Sequence, residues 1–133
     1  MKINILLLFT LFYTSCTQKL EKPNISVGQY SKQSTVMTGV VQKIMDEPDP
    51  KIMHAMARNI EESRAVSCIP VKDECDEYYK LLNEIVKVTH EGKLSIEDRT
   101  VVNKMFNDFK NSLVTAEKKV QEDWKNYINS QAK

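Results

Sequence analysis

The stretch SIEDRTVVNKMFNDFKNSLVTAEKKVQEDWKNYI, residues 95–128, decides the fold class of this chain. It contains no proline and no glycine, the two residues that disfavour a helix most strongly. Its apolar residues recur at steps of three and four, which is the spacing of one face of an α-helix. They are Val102, Met105, Phe106, Phe109, Leu113, Ala116, Val120, Trp124, Tyr127 and Ile128. The pattern predicts one helix from Ser95 to about Ser130, about 50 Å long at the usual helical rise.

A first, shorter helix is predicted over about Ser34 to Glu47. Ser34 is a suitable N-cap, and the apolar residues that follow it have helical spacing. Gly39 lies inside this helix and costs about 1 kcal/mol relative to alanine. Pro48 cannot continue the helix and ends it.

A second and a third helix carry clearer boundary signals. Asp49 is a good N-cap, and Pro50 follows in the first turn, where its missing N–H does no harm. This second helix should fade near residues 64–67. The third is predicted over residues 73–91, and Gly92 can supply the left-handed residue that ends it. We therefore predict an all-α fold, a small four-helix domain with a long C-terminal helix.

The apolar face of the long helix extends beyond what the third helix can cover. The third helix is about 28 Å long, so the first and second helices or a partner must cover the rest. One interpretation is that the excess face packs in the core of the monomer. The other is a docking surface, since Trp and Tyr dominate interface hot spots. On that second interpretation the candidate partner-binding residues are Leu113, Val120, Trp124, Tyr127 and Ile128.

Residues 1–15 have the composition of a leader. Lys2 precedes an apolar run from Ile3 to Tyr13. The run is too short to span a bilayer, which takes about 20 helical residues, and it fits the apolar region of a secretory signal peptide.

The end of this leader, Tyr13-Thr14-Ser15-Cys16, resembles the lipobox of bacterial lipoproteins. That motif usually reads Leu, a small residue, then Ala, Gly or Ser, then Cys, so Tyr13 departs from it. The resemblance implies cleavage before Cys16 and a lipid on that cysteine. An aspartate after the cysteine retains enterobacterial lipoproteins at the inner membrane, so Thr17 implies the outer membrane. An ordinary signal cleavage site and an uncleaved anchor remain the alternatives.

This interpretation divides the chain into three parts. Residues 1–15 are the signal peptide, residues 16–33 a lipidated flexible tether, and residues 34–133 a helical domain that faces the periplasm or the cell surface. The tether is polar and shows no periodicity.

A lipidated Cys16 leaves Cys68 and Cys75 as one pair. In an oxidising compartment the expected product is a disulfide, worth about 2–3 kcal/mol by loop-closure entropy. A zinc site would need four ligands and would have to recruit His54 and His90. Free or redox-active thiols are the third option.

No catalytic motif is present, and we expect no catalytic residue, no metal and no cofactor. His54 is interpreted as an ordinary helix residue and His90 as a cation at a helix C-terminus. The 19 basic and 18 acidic residues nearly cancel, which argues against nucleic acid as a partner. The expected partners are the membrane, through the lipid on Cys16, and an envelope protein.

These features predict a non-enzymatic protein-interaction module of the outer membrane. Such a module looks like a secretion pilotin, a small disulfide-bonded helical lipoprotein that captures a helix of an outer-membrane channel protein. It also looks like the outer-membrane lipoprotein subunit of a phage spanin, which acts in host lysis. An envelope enzyme inhibitor or an enzyme is the third class. Homo-oligomerisation through the long C-terminal helix is a further option.

Overall fold

The computed structural model describes residues 20–64 and 72–132 of the chain. Within them the protein consists of four α-helices and no strand. They are α1 (Val27–Met45), α2 (Pro50–Ser63), α3 (Lys72–Val88) and α4 (Ile96–Gln131). The predicted helical class and the long last helix are confirmed. Cys16, Cys68 and the whole leader lie outside the described residues.

Helix α1 begins earlier than the sequence pattern predicted. Ser26 Oγ accepts a hydrogen bond from the Gln29 backbone N–H at 3.1 Å. The Gln29 side chain in return accepts from the Ser26 N–H at 3.1 Å. This reciprocal capping box starts the helix at Val27, so the predicted start at Ser34 is wrong by about two turns. The last part of the segment that we assigned to the tether is therefore helical.

The N-termini of α2 and α4 follow their predicted caps. Asp49 Oδ1 accepts from the Lys51 N–H at 2.9 Å, and Pro50 is the first residue of α2. Ser95 Oγ accepts from the Asp98 N–H at 3.0 Å. Each cap satisfies one of the backbone donors that a helix start leaves unpaired.

A residue with a left-handed backbone conformation follows each of the helices α2 and α3. Arg64 ends α2 at φ 50°, and its guanidinium carbon lies 3.9 Å from the centroid of the Tyr79 ring on α3. Helix α3 ends at Val88, three residues before the predicted position, and Gly92 follows at φ 72°. A Cβ at Gly92 would lie 2.9 Å from a carbon of the Lys51 side chain, so both the backbone and the packing favour glycine there.

Each helix packs on the next one, and α4 returns to pack on α1. The four helices enclose a main core in which Tyr78 and Phe109 are the largest fully buried side chains. Burial contributes roughly 1.5–3 kcal/mol for a large apolar side chain. The buried residues of the main core are Met37, Val41, Ile44, Met45, Met53, Ala57, Tyr78, Leu81, Leu82, Ile85, Val102, Phe106, Phe109 and Leu113.

A smaller second core lies further along α4. Tyr30 of α1 packs there against Ala116 and Val120 of α4. Ile25, Val27 and Trp124 surround this cluster and are partly buried. Residues 20–26, which we call the leading segment, thus run along the C-terminal half of the long helix.

Candidate functional site: a polar cleft beside the long helix

A cleft of about 620 Å³ lies between the leading segment, the first turn of α3 and the middle of α4. The α4 residues in its lining recur at steps of one, three and four, so they form one strip along that helix. The lining residues are Pro23, Asn24, Ile25, Asp73, Glu74, Asn111, Ser112, Thr115, Ala116, Lys119, Val120 and Asp123. The cleft thus combines small and apolar side chains with several polar ones.

The charged groups of the lining are mainly acidic. Asp73, Glu74 and Asp123 supply three carboxyl groups, and Lys119 supplies the only ammonium group among the described residues of the lining. Acidic groups therefore outnumber basic ones in the described lining, in contrast to the near-neutral chain as a whole.

Glu74 is the most perturbed of these carboxyl groups. Its Oε2 atom is buried and has no hydrogen-bond partner. Burial raises the pKa of Glu74, and repulsion from Glu77 and Asp73 raises it further. The residue's own backbone N–H and Lys119 act in the opposite direction, the latter with the smallest effect. Glu74 is therefore a carboxyl group whose charged form lacks sufficient partners.

The hydroxyls of Tyr30 and Tyr78 are also buried without hydrogen-bond partners, but neither residue lines the cleft. Tyr30 is the one that packs behind the lining. The residue is 3% exposed, and its hydroxyl has no hydrogen-bond partner. Burial raises the pKa of Tyr30 to about 12, helped by the negative charges of Glu74, Glu117 and Glu77. A buried hydroxyl without a partner costs about 1–3 kcal/mol. Its ring packs on Ala116, a residue of the cleft lining.

The five candidate partner-binding residues of α4 have different surroundings. Leu113 is buried in the main core, so it cannot contact a partner while the domain is folded. Val120 is mostly buried in the second core, but it also lines the cleft. Burial argues against docking at Leu113, and docking at Val120 stays a prediction. Tyr30, in the part of α1 that precedes the predicted start, packs against Val120.

Trp124, Tyr127 and Ile128 lie at the outer end of this face. The Trp124 Nε1–H donates to the Ile25 carbonyl oxygen at 2.6 Å. The Tyr127 ring meets the Trp124 ring edge to face, with centroids 5.8 Å apart. Ile128 is 59% exposed. Trp124 therefore fixes the leading segment. Trp124 and Tyr127 are both half-buried, and Ile128 is the exposed residue of the three.

His54 joins two helices by hydrogen bonds. His54 Nδ1 lies 3.1 Å from the Val86 carbonyl oxygen and 3.1 Å from Thr89 Oγ1. A carbonyl can only accept, so Nδ1 carries the proton and donates. Thr89 in turn donates to the Ile85 carbonyl oxygen at 2.6 Å. These bonds join α2 to the end of α3, and the His90 ring lies 6.2 Å from that of His54. Among the described residues, no cluster of three or more His, Cys, Asp and Glu side chains could hold a metal ion.

The sequence pattern did not identify the cleft. One available signal was the Ser26-x-x-Gln29 capping box followed by Tyr30, which marks a helix start. No local signal distinguishes Glu74 from the solvated acidic residues around it, because its burial depends on contacts with distant parts of the chain.

None of the helices that the structure describes is both long enough and apolar enough to cross a membrane. No family model, no curated protein and no solved structure matches this chain. The function of the cleft is therefore inferred from its geometry and chemistry.

Proposed function

We propose that the protein is a lipid-anchored, non-enzymatic module of the outer membrane that holds an envelope protein in the cleft beside α4. The observation that carries this proposal is Glu74 Oε2, a buried oxygen of a cleft-lining residue that has no hydrogen-bond partner. The great majority of buried polar atoms in native proteins are hydrogen-bonded. An unsatisfied carboxylate oxygen on a residue of the cleft lining favours an occupant from another molecule.

The lipid on Cys16 would keep this cleft close to the membrane. The chain from residue 16 to residue 25 spans at most roughly 30 Å when fully extended. Since Ile25 lines the cleft, the partner would meet the module within that distance of the lipid headgroups. Two or more acyl chains make such an anchor stable.

A disulfide between Cys68 and Cys75 forms part of the proposal. Cys75 is half-buried in the first turn of α3, directly after Glu74 of the cleft. A bond to Cys68 would fix the connection between α2 and α3 next to the cleft wall. Mass spectrometry of the unreduced, membrane-extracted protein tests both assignments, since it should find a Cys68–Cys75 peptide and a lipid-modified Cys16. Free thiols or an unmodified Cys16 in the mature protein would contradict them.

A binding role accounts for the cleft without a reaction. Raised carboxyl pKa values also occur in catalytic acids, but the described lining holds no histidine or cysteine that would act as base or nucleophile. A pilotin captures a helix of a channel protein, and a cleft along one helix suits such a ligand better than an end-to-end contact. We therefore favour a pilotin-like role over a spanin-like one.

Site-specific photo-crosslinking in cells tests the proposal. A photoreactive amino acid at Thr115, an exposed residue of the cleft, should give one discrete adduct with another envelope protein. The matched control is the same amino acid at Lys104, which is also exposed on α4 but lies outside the cleft. The Cys16→Ala variant should lose the Thr115 adduct because the module leaves the membrane. Equal adducts at both positions, or none at Thr115, would refute the proposal, and an adduct of twice the chain mass would indicate a homodimer instead.

A further inference from the structure

We infer that the cleft binds a basic side chain of the partner, with the charged head at Glu74 and the aliphatic stem against Ala116 and Val120. This inference rests on the proposed function and specifies its chemistry. The ligand class is an alkyl chain that ends in an ammonium or guanidinium group and is carried by a peptide.

Charge is the first reason. The described residues of the lining supply three carboxyl groups and one ammonium group, and Glu77 and Glu117 add negative charge near Tyr30. Attraction between unlike charges is strongest where water is excluded, and Glu74 Oε2 is buried. An anionic ligand would be repelled at the same place.

Hydrogen bonding is the second reason. An ionised carboxylate only accepts hydrogen bonds. Glu74 Oε2, the unsatisfied oxygen of a cleft-lining residue, therefore favours a ligand rich in donors. An ammonium group offers three N–H donors and a guanidinium group five. A ligand that carries only acceptors would leave Glu74 unsatisfied.

Lys119, the lysine of the described lining, does not pair with Glu74 Oε2. Lys119 lines the cleft but is exposed, and it has the smallest of the effects on the pKa of Glu74. The ion pairs found among the described residues are Arg58–Glu62 and Lys104–Asp108, both outside the cleft. Lys119 thus leaves Glu74 Oε2 unpaired. Its ammonium group would repel an incoming cation but does not occupy the position beside Glu74.

Shape is the third reason. Lysine and arginine bury their methylene stems along apolar surface while the charged head finds polar partners. Ala116 and Val120 offer such a surface, together with Pro23 and Ile25. A volume of about 620 Å³ also leaves room for the peptide backbone that carries the side chain.

Titration of the full mature protein in detergent micelles, followed by amide NMR shifts, tests the inference. The probe is Nα-acetyl-lysine methylamide, and its matched control is Nα-acetyl-norleucine methylamide, which has the same stem without the ammonium group. The lysine probe should give saturable shifts at Glu74, Asn111 and Lys119 and bind at least tenfold more tightly than the norleucine probe. n-Butylammonium should bind several-fold more weakly than the lysine probe, because it lacks the peptide groups.

Variants make the assignment specific. Glu74→Gln should weaken binding of the lysine probe at least tenfold, whereas Asp76→Asn, on the same helix but outside the cleft, should leave it unchanged. Lys119→Met should strengthen binding several-fold because it removes the repelling ammonium group. Circular dichroism of each variant establishes that the fold is intact.

Three results would overturn the inference: equal binding of the two peptide-like probes, tight binding of n-butylammonium, or full binding by Glu74→Gln. Should the Thr115 adduct form while the lysine probe fails to bind, the partner-binding function stands and its assigned chemistry is wrong. A lysine probe that binds in a protein without any Thr115 adduct refutes the partner-binding function instead.

Discussion

Trp124 stabilises the domain with a polar contact as well as with its apolar surface. Its Nε1–H donates to the Ile25 carbonyl oxygen, so Trp124→Phe removes a donor and leaves that oxygen without this bond. We expect a loss of about 1 kcal/mol in the free energy of unfolding, measured by urea denaturation. Ile128→Ala is the control, because a residue that is 59% exposed should change stability by less than about 0.5 kcal/mol. Equal stability of wild type and Trp124→Phe would show that the hydrogen bond does not form in solution.

Glu74 should make stability depend on pH. Burial raises its pKa in the folded state above the ordinary value of 4.5. The folded protein therefore holds this proton more tightly than the unfolded chain does. The resulting stabilisation is fully present below pH 4.5 and is lost as the pH rises through the folded-state pKa.

The substitution Glu74→Gln removes the titrating group, so the variant should not lose stability as the pH rises through the pKa of Glu74. The variant should be more stable than wild type at pH 7, and the difference should shrink at pH 4. Urea denaturation at the two pH values measures it, with Asp76→Asn as the control. A variant less stable than wild type at pH 7 would mean that the carboxylate has a favourable partner in the folded protein. Together with weaker binding, a gain in stability would identify Glu74 as a residue kept for its ligand.

At the scale of elements, the start of α1 decides whether the second core can form. Ser26→Ala removes the accepting half of the capping box and should cost about 1 kcal/mol. Ser34→Ala is the matched control, because Ser34 lies inside the helix, where alanine has the higher helix propensity. Thermal unfolding should show a lower midpoint for Ser26→Ala and an unchanged or higher one for Ser34→Ala. The reverse order would place the helix start at Ser34 after all.

These helices show how far local signals extend. The starts of α2 and α4 could be predicted from the sequence, because their capping signals lie within a few residues. These signals are Asp49 and Pro50 for α2 and Ser95 for α4. The first two turns of α1 hold Gly28 and mostly polar residues, and much of their stabilisation comes from contacts with α4. Such contacts do not appear in a sequence window, so that start was missed.

The candidate site was predictable only in part for a related reason. The periodicity of α4 correctly placed Leu113 and Val120 on an apolar face, but a periodic face does not reveal whether its cover comes from the same chain. Glu74 belongs to an acidic run, and only the tertiary structure shows that one of its oxygens is buried without a partner.

At the scale of the whole molecule, the two cores should unfold separately. Removal of residues 122–133 deletes Trp124 and its contacts but leaves the main core, which ends at Leu113 on α4. Hydrogen exchange should then show lost protection at residues 27–33 and retained protection at Ile85 and Val102. Loss of protection throughout the chain would mean that the C-terminal end is needed for the main core as well.

The hydrogen bond between Trp124 and Ile25 joins positions 99 residues apart in the chain. With a lipid on Cys16, any pull on the anchor enters the domain through the leading segment and is borne first by this bond and the second core. The main core lies beyond this path and carries little of the load. A partner in the cleft would be held between the same leading segment and α4. Tension between membrane and partner would therefore open the cleft before it unfolds the domain, and the module would release its ligand under force while remaining folded.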